Sequence, residues 1–161
     1  MDVLNPMSKA SKELAGKTGQ AIKFALKTRK SALRLAGFVF LTAMSGAFVA
    51  GNDAGRAYNT FPMMDDEWIP LEIADMDPPW RNFFENTATV QFDHRVLALS
   101  TYAGICWTYV RTQSSAALWE TLPLATRLSF HTMFVAAAAQ VGLGVFTLLT
   151  YVPVPLAAAH Q

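Results

Sequence analysis

The stretch Phe84–Val96, with the sequence FENTATVQFDHRV, opens a long apolar segment and decides how the rest of the chain is interpreted. Asp93, His94 and Arg95 stand side by side where a membrane-spanning helix would otherwise carry only apolar residues. Ionisable residues inside a span are costly and usually functional. The sequence therefore makes this triplet, and His94 in particular, the first candidate for a functional site.

The composition is that of a folded, apolar protein. Of the 161 residues, 52% are hydrophobic and 16% are charged, which is too apolar and too weakly charged for a disordered chain. The length fits one domain. The net charge of +1 argues against binding to nucleic acid, which usually needs a basic surface. The single cysteine, Cys106, lies in an apolar run, and we interpret it as a packing residue.

Apolar segments along the chain predict an all-α integral membrane protein. We expect an antiparallel helical bundle with three full transmembrane helices and the start of a fourth. The spans cover about residues 35–51, 88–110 and 127–150, and residues 156–161 begin the fourth. Because a helix that enters the membrane cannot end after a few residues without exposing unpaired backbone to lipid, we expect the fourth either to continue in a longer protein or to stay at the interface.

Charge is distributed unevenly around the first span. Residues 1–34 hold eight basic and two acidic side chains, whereas residues 52–87 hold eight acidic and two basic ones. Basic flanks remain on the inner side of a membrane, so we expect residues 1–34 to be a basic inner-side segment and residues 52–87 an outer loop. We interpret residues 1–34 as a loop, with a targeting presequence as the alternative. Residues 35–161 then form one transmembrane bundle.

The topology places two of the three histidines at similar depth. His94 lies about 9 Å into the second span and His160 in the first turn of the fourth, both on the outer side, whereas His131 lies near the inner end of the third span. Two histidines on neighbouring antiparallel helices can bind one metal ion from opposite faces, and a haem fits between apolar helices. The spacing equally allows two unrelated interfacial histidines.

Other polar and small residues of the predicted spans also have candidate roles. Arg95 is a candidate partner for a haem propionate near the outer surface. Asp93 is a candidate to pair with Arg95 or to orient an imidazole. We expect Gln140 to make an interhelical hydrogen bond, and we expect Gly46 and Ala50, as a small-xxx-small pair, to let another helix backbone approach closely.

Several blocks of this sequence resemble haem A synthase of the mitochondrial type. The blocks are GAFVAGNDAGRAYNTFP at 46–62, WIP at 68–70, NFFENTATVQFDHR at 82–95, QVGLG at 140–144 and YVPVPLAAAHQ at 151–161. They occur in order between about Leu33 and the last residue, so the resemblance covers most of the chain.

The resemblance implies half of an eight-helix protein made of two similar four-helix halves, each with a histidine pair. The N-terminal half would bind the haem O substrate and oxidise its methyl group to a formyl group. This chain resembles only the C-terminal half, which would bind haem b and transfer electrons, with His94 and His160 as axial iron ligands. The catalytic residues stay unknown, and we expect this half alone not to be catalytic. The alternatives are a stand-alone bis-histidine cytochrome b-type electron-transfer module and an inactive truncated fragment.

The resemblance also implies a location and partners. The protein would be an oxidoreductase of haem A biosynthesis for cytochrome c oxidase, with several spans in the mitochondrial inner membrane. Its N-terminus would face the matrix and its loop 52–87 the intermembrane space. The expected partners are the lipid bilayer, haem O in the missing N-terminal half, an unidentified electron-transfer partner and further copies in a homo-oligomer, but no nucleic acid.

Overall fold

Three long helices form the frame of the fold, and they are α1 (Pro6–Gly51), α4 (Thr87–Gln113) and α6 (Leu124–Leu149). The shorter elements are α2 (Ala54–Ala57), a 3₁₀ turn (Pro79–Arg81), α3 (Asn82–Glu85), α5 (Ala116–Trp119) and α7 (Val154–His160). The computed structural model describes residues 6–161, with side chains from Ala15 onward. These residues form no β-strand, as the sequence predicted.

Two of the long helices are long and apolar enough to cross a membrane. They are Ala15–Gly51, which belongs to α1, and Leu124–Leu149. The 27 residues of α4 extend for about 40 Å, which is also sufficient for a bilayer. However, α4 is less apolar because it carries Asp93, Arg95 and Arg111. The two apolar helices support a helical membrane protein, and α4 as a further full span remains a prediction.

Helix α1 extends well beyond the expected first span. Residues 35–51 are its C-terminal part, and residues 6–34 continue the same helix toward the N-terminus. We interpreted residues 1–34 as a loop, but the backbone of residues 6–34 is helical, and residues 1–5 lie outside the described part of the chain. The position of this basic segment on the inner side of a membrane stays a prediction. Lysine, arginine, leucine and alanine, which are frequent here, have high helix propensity, and Pro6 occupies the first helical position, where proline is tolerated.

The long helices pack side by side, with α4 between α1 and α6 and with α7 against α6. Thr42 of α1 and Thr101 of α4 share a hydrogen bond of 2.9 Å between their hydroxyl oxygens. Nearby, Leu35 is buried against Gly104, where an added Cβ atom would lie 3.0 Å from the leucine Cδ2. Many large apolar side chains remain exposed on the outside, as expected for helices surrounded by lipid.

The loop 52–87, which we expect on the outer side and call the outer loop, is folded and hydrogen-bonded to the start of α4. The Asn86 side-chain oxygen accepts a hydrogen bond from the backbone N–H of Thr89 at 2.9 Å, and its amide donates to the carbonyl of Glu72 at 2.9 Å. Asn82, which is 2% exposed, uses its oxygen to accept from the Met76 N–H and its amide to donate to the Met76 carbonyl. Buried polar groups in folded proteins are nearly always hydrogen-bonded, and these two side-chain amides find their partners in the loop itself. The two asparagines therefore give the loop a defined shape.

Two exposed side-chain pairs in this loop, Tyr58 with Glu72 and Arg81 with Glu85, each include a group with a shifted pKa. The hydroxyl of Tyr58 lies 3.3 Å from a carboxylate oxygen of Glu72, and burial, reinforced by Glu72, raises the pKa of Tyr58 above its usual value. Arg81 donates to Glu85 at 2.6 Å, and this hydrogen bond lowers the pKa of Glu85. Because both pairs are solvent-exposed, they contribute little to stability.

Candidate functional site

His94 lies two turns into α4, near the end that the outer loop covers. The side chain of Asn86 caps the first turn, so the helix has a defined start. Between Thr87 and His94 the helix advances by about 10 Å. The cap therefore fixes the depth of the His94 ring relative to the loop.

Helix α1 supplies the surroundings of the His94 ring. Ser45 Oγ lies 2.8 Å from His94 Nδ1 and also donates to the Thr42 carbonyl oxygen at 2.7 Å. Gly46 faces the same ring so closely that a Cβ atom there would lie 3.1 Å from His94 Cε1. The sequence predicted that Gly46 admits another helix backbone, but the group that it admits in the structure is an imidazole ring.

His160 lies at the end of α7 and packs against α6. The side-chain amide of Gln140 donates a hydrogen bond to the backbone carbonyl of His160, which confirms the predicted interhelical bond. Gly144, one turn further along α6, faces the ring, and a Cβ atom there would lie 2.6 Å from His160 Cε1 and 2.9 Å from Nε2. The buried Nδ1 of His160 has no hydrogen-bond partner among the side chains described from Ala15 onward.

The fold brings the His94 and His160 rings together. Their centroids are 6.4 Å apart and their planes are inclined by 78°. With about 2 Å for each metal–nitrogen bond and about 1 Å from that nitrogen to the ring centre, one metal ion between two imidazoles separates the centroids by roughly 6 Å. The observed separation of 6.4 Å is close to this value, so the two rings are near enough to share one metal ion.

His131 belongs to a separate cluster of aromatic residues. Its Nδ1 lies 2.8 Å from the hydroxyl of Tyr109, and its ring centroid lies 5.7 Å from that of Trp119. Tyr109 also stacks on Phe134 at a centroid distance of 4.5 Å. Along α4, Tyr109 is about 22 Å from His94, so His131 does not join the histidine pair.

Arg95 is anchored to the outer loop by four hydrogen bonds. Its Nη1 donates to the carbonyls of Pro62 and Met63 at 3.2 and 3.0 Å, and its Nη2 donates to those of Tyr58 and Thr60 at 3.1 and 2.8 Å. All four terminal N–H protons are thereby used. The buried Nε has no partner within residues 15–161. The structure thus assigns Arg95 a role in holding the loop, which the sequence did not predict.

Asp93 lacks the partners that the sequence suggested. Within residues 15–161 its carboxylate forms no hydrogen bond or ion pair, and the imidazole partner is Ser45 instead. Asp93 lines an open, mostly apolar hollow of about 260 Å³ between α1 and α4. The expectation that Asp93 pairs with Arg95 or orients an imidazole is therefore wrong for this structure.

Among the side chains described from Ala15 onward, the other acids, the cysteine and the third histidine form no further metal site. In the part of the chain from Ala15 onward, no three His, Cys, Asp or Glu side chains converge on one point. A metal ion held by protein side chains alone usually needs at least three such ligands. Two histidines suffice for haem iron, because the macrocycle supplies the other four ligands.

The matches with known proteins point to one family. Residues 7–161 match the model of the COX15-CtaA family, described as cytochrome oxidase assembly protein. Heme A synthase COX15 of Arabidopsis thaliana is 51% identical over 142 residues, which cover 87% of this chain and 30% of the relative. Heme A synthase COX15 of Homo sapiens is 48% identical over 136 residues, or 84% of this chain and 32% of the relative.

A bacterial relative shows the same partial coverage. Heme A synthase of Nitrosomonas eutropha is 42% identical over 135 residues, which cover 84% of this chain and 36% of the relative. The chain thus spans about a third of the length of the curated relatives that it matches. No solved structure matches it at a significant level. Because the family pattern extends over nearly all of the sequence, this chain belongs to the COX15-CtaA family of cytochrome oxidase assembly proteins.

Proposed function

We propose that this chain acts in haem A biosynthesis as the haem b-binding, electron-transferring half of a haem A synthase. The observation that carries the proposal is the pair of facing rings, His94 and His160, with centroids 6.4 Å apart. Support comes from the relatives, which are named heme A synthase. The activity of the whole protein, the oxidation of a haem O methyl group to a formyl group, belongs to the proposal as well.

The residues around the pair fit a haem. Each ring has a glycine beside it, Gly46 next to His94 and Gly144 next to His160, so no side chain crowds either imidazole. Both helices that carry these glycines are long and apolar, which suits a flat apolar macrocycle. When bound, haem b supplies reversible one-electron transfer. His94 and His160 would be the residues that hold its iron.

We also propose that Arg95 contacts a haem propionate, although few of its N–H groups are available for this contact. Its four terminal N–H groups are used by carbonyls of the outer loop. A propionate contact would therefore use the Nε–H, which is buried and has no partner within residues 15–161. Through this arrangement Arg95 would connect the loop, the end of α4 and the edge of the haem.

The apolar helices and the eukaryotic relatives support the proposed membrane location, and the uneven charge of the two flanks is the basis of the proposed orientation. We place the chain in the mitochondrial inner membrane as a multi-pass protein, with its N-terminus on the matrix side and loop 52–87 in the intermembrane space. Its proposed partners are the lipid bilayer, haem O bound in a further half with four spans, an electron-transfer protein and other copies of itself in a homo-oligomer.

A bacterial strain that lacks its own haem A synthase but makes haem O provides the test of function. When this chain is expressed there and purified, we expect bound b-type haem and no haem A in the extract, because the oxidation is assigned to the other half. The full-length Arabidopsis relative serves as the positive control for haem A. A haem A peak from this chain alone would contradict the division of roles, and purified chain without haem would contradict haem b binding.

The proposed orientation has its own test. A cysteine placed at Asp65, in a Cys106→Ala background, would lie on the exposed outer loop. In mitoplasts with an intact inner membrane, we expect complete labelling of this cysteine by a membrane-impermeant maleimide. A cysteine at Glu120, which is exposed in the connection between α4 and α6, should react only after the membrane is opened. The reverse pattern would show the opposite orientation.

A further inference from the structure

Ser45 makes two short contacts that bear on the tautomer of His94. Its Oγ lies 2.7 Å from the carbonyl oxygen of Thr42 and 2.8 Å from His94 Nδ1. A serine hydroxyl has one proton to donate, and a carbonyl oxygen has none. The proton of Ser45 is therefore used toward Thr42, and the oxygen of Ser45 accepts a hydrogen bond from His94.

This direction of the bond fixes the tautomer of His94. If Nδ1 donates to Ser45, then Nδ1 carries the proton of the neutral ring. Nε2 is then the nitrogen with the free lone pair, which is the one that a metal ion needs. Gly46, the next residue of α1, leaves space for the ring, since even a Cβ atom there would lie 3.1 Å from His94 Cε1. Two consecutive residues of α1 thus set both the protonation and the position of this imidazole.

We propose that Ser45 is a positioning residue that holds His94 in the Nδ1-protonated form for axial ligation of the haem iron, an inference that rests on the proposed function. A hydrogen bond accepted from the outer nitrogen of a histidine ligand fixes the ring orientation and makes the ligating nitrogen a stronger donor. The bond from Ser45 to Thr42 polarises the hydroxyl and so strengthens it as an acceptor.

The two histidines are held in different ways. His94 has an oriented outer nitrogen, whereas the buried Nδ1 of His160 has no partner within residues 15–161. His160 is held through its backbone instead, because Gln140 donates to its carbonyl oxygen. Ser45 therefore acts on one ligand only, and its removal should leave the environment of His160 unchanged.

The effect of Ser45→Ala on bound haem follows from this role. Loss of the partner that orients a metal-binding histidine typically lowers metal affinity by about 10–100-fold, and we expect a loss in that range. A weaker imidazole donor favours the ferrous over the ferric iron, so the reduction potential should rise. Each tenfold change in the ratio of ferric to ferrous affinity corresponds to about 59 mV for a one-electron couple.

The first test uses the chain without haem, in lipid nanodiscs, with ¹⁵N-labelled histidine. The His94 signals are assigned by their disappearance in His94→Gln. We expect a single Nδ1-protonated tautomer in the unsubstituted chain and a mixture of tautomers in Ser45→Ala. An unchanged tautomer in Ser45→Ala would overturn the proposal. Because no haem is involved, this result is independent of the proposed function.

The second test compares variants of the haem-loaded chain. Ser45→Thr keeps a hydroxyl that can bond to a carbonyl of the preceding helical turn, so it should restore affinity and potential. Ser129→Ala is the matched control, because Ser129 also donates to its own helix, at Ala125, but has no histidine partner. Equal affinities and potentials for Ser45→Ala and Ser129→Ala would overturn the proposal. If the tautomer depends on Ser45 but the chain forms no low-spin haem spectrum, the contact stands and the proposed function fails.

Discussion

Gly144→Ala is expected to lower the affinity for haem by at least tenfold, while the fold keeps nearly its full stability. A methyl group there would lie 2.6 Å from His160 Cε1 and 2.9 Å from Nε2, which is closer than non-bonded atoms can approach. The end of a side chain can rotate away at modest cost, so the helices need not separate. The group that must move, however, is the proposed ligand, and displaced ligand geometry costs about 10–100-fold in metal affinity.

Two other glycines serve as controls for this prediction. Gly142 lies on the same helix with no atom within 4 Å of an added Cβ, so Gly142→Ala should bind haem normally. At Gly46 the corresponding distance to His94 Cε1 is 3.1 Å, and Gly46→Ala should have an intermediate effect. Haem titration followed by the Soret absorbance measures all three. Equal affinities for Gly144→Ala and Gly142→Ala would contradict the placement of His160.

Arg95→Met is expected to release the outer loop from α4. The guanidinium is the donor for four backbone carbonyls between residues 58 and 63. A fully buried carbonyl that loses its donor costs about 1–3 kcal/mol. These four bonds are exposed or only partly buried, so water can replace some of them, and we expect a total destabilisation of about 1–3 kcal/mol. Hydrogen exchange of the loop amides should increase strongly, whereas α6 should be unaffected.

Arg95→Lys and Arg56→Met complete this experiment. Lysine offers three donors on one nitrogen and cannot span four carbonyls, so Arg95→Lys should restore protection only in part. Arg56 is exposed and forms a long ion pair with Asp53 at 3.5 Å, so Arg56→Met should change stability by less than about 1 kcal/mol. Unchanged loop exchange in Arg95→Met would show that the four hydrogen bonds do not hold the loop.

The depth of residues along the predicted spans was the most informative property of the sequence. It predicted that His94 and His160 lie on one side and His131 on the other, and the structure brings the first two rings together. It also predicted the interhelical bond of Gln140. The proximity of the two rings and the Gln140 bond agree with these expectations, because a helix of regular rise converts sequence position into a position along its axis. The sides of the membrane on which the histidines lie stay a prediction.

Contacts between residues far apart in the sequence could not be predicted from their positions along the spans. Ser45 precedes His94 by 49 positions, and Arg95 follows its loop carbonyls by 32 to 37. Neither separation has a periodicity that a single sequence reveals. Gly46 indicated close packing, but the sequence could not show that the group packed against it, or against Gly144, is an imidazole.

The length of α1 was missed for a different reason. The charged residues of 6–34 indicated a segment outside the membrane, and we interpreted it as a loop. Charge, however, determines where a segment lies relative to lipid, and not whether its backbone is helical. Without a proline or a glycine cluster before residue 35 to stop it, the helix continues through the change in polarity.

The central claim is that His94 and His160 hold one b-type haem. Its most direct test is the reduced-minus-oxidised absorption spectrum, recorded for the purified chain and for its histidine variants. We expect a low-spin b-type spectrum for the unsubstituted chain and for His131→Gln, a high-spin or lost spectrum for His94→Ala and for His160→Ala, and no bound haem in the double variant. An unchanged low-spin spectrum in the double variant, or its loss in His131→Gln, would contradict the account.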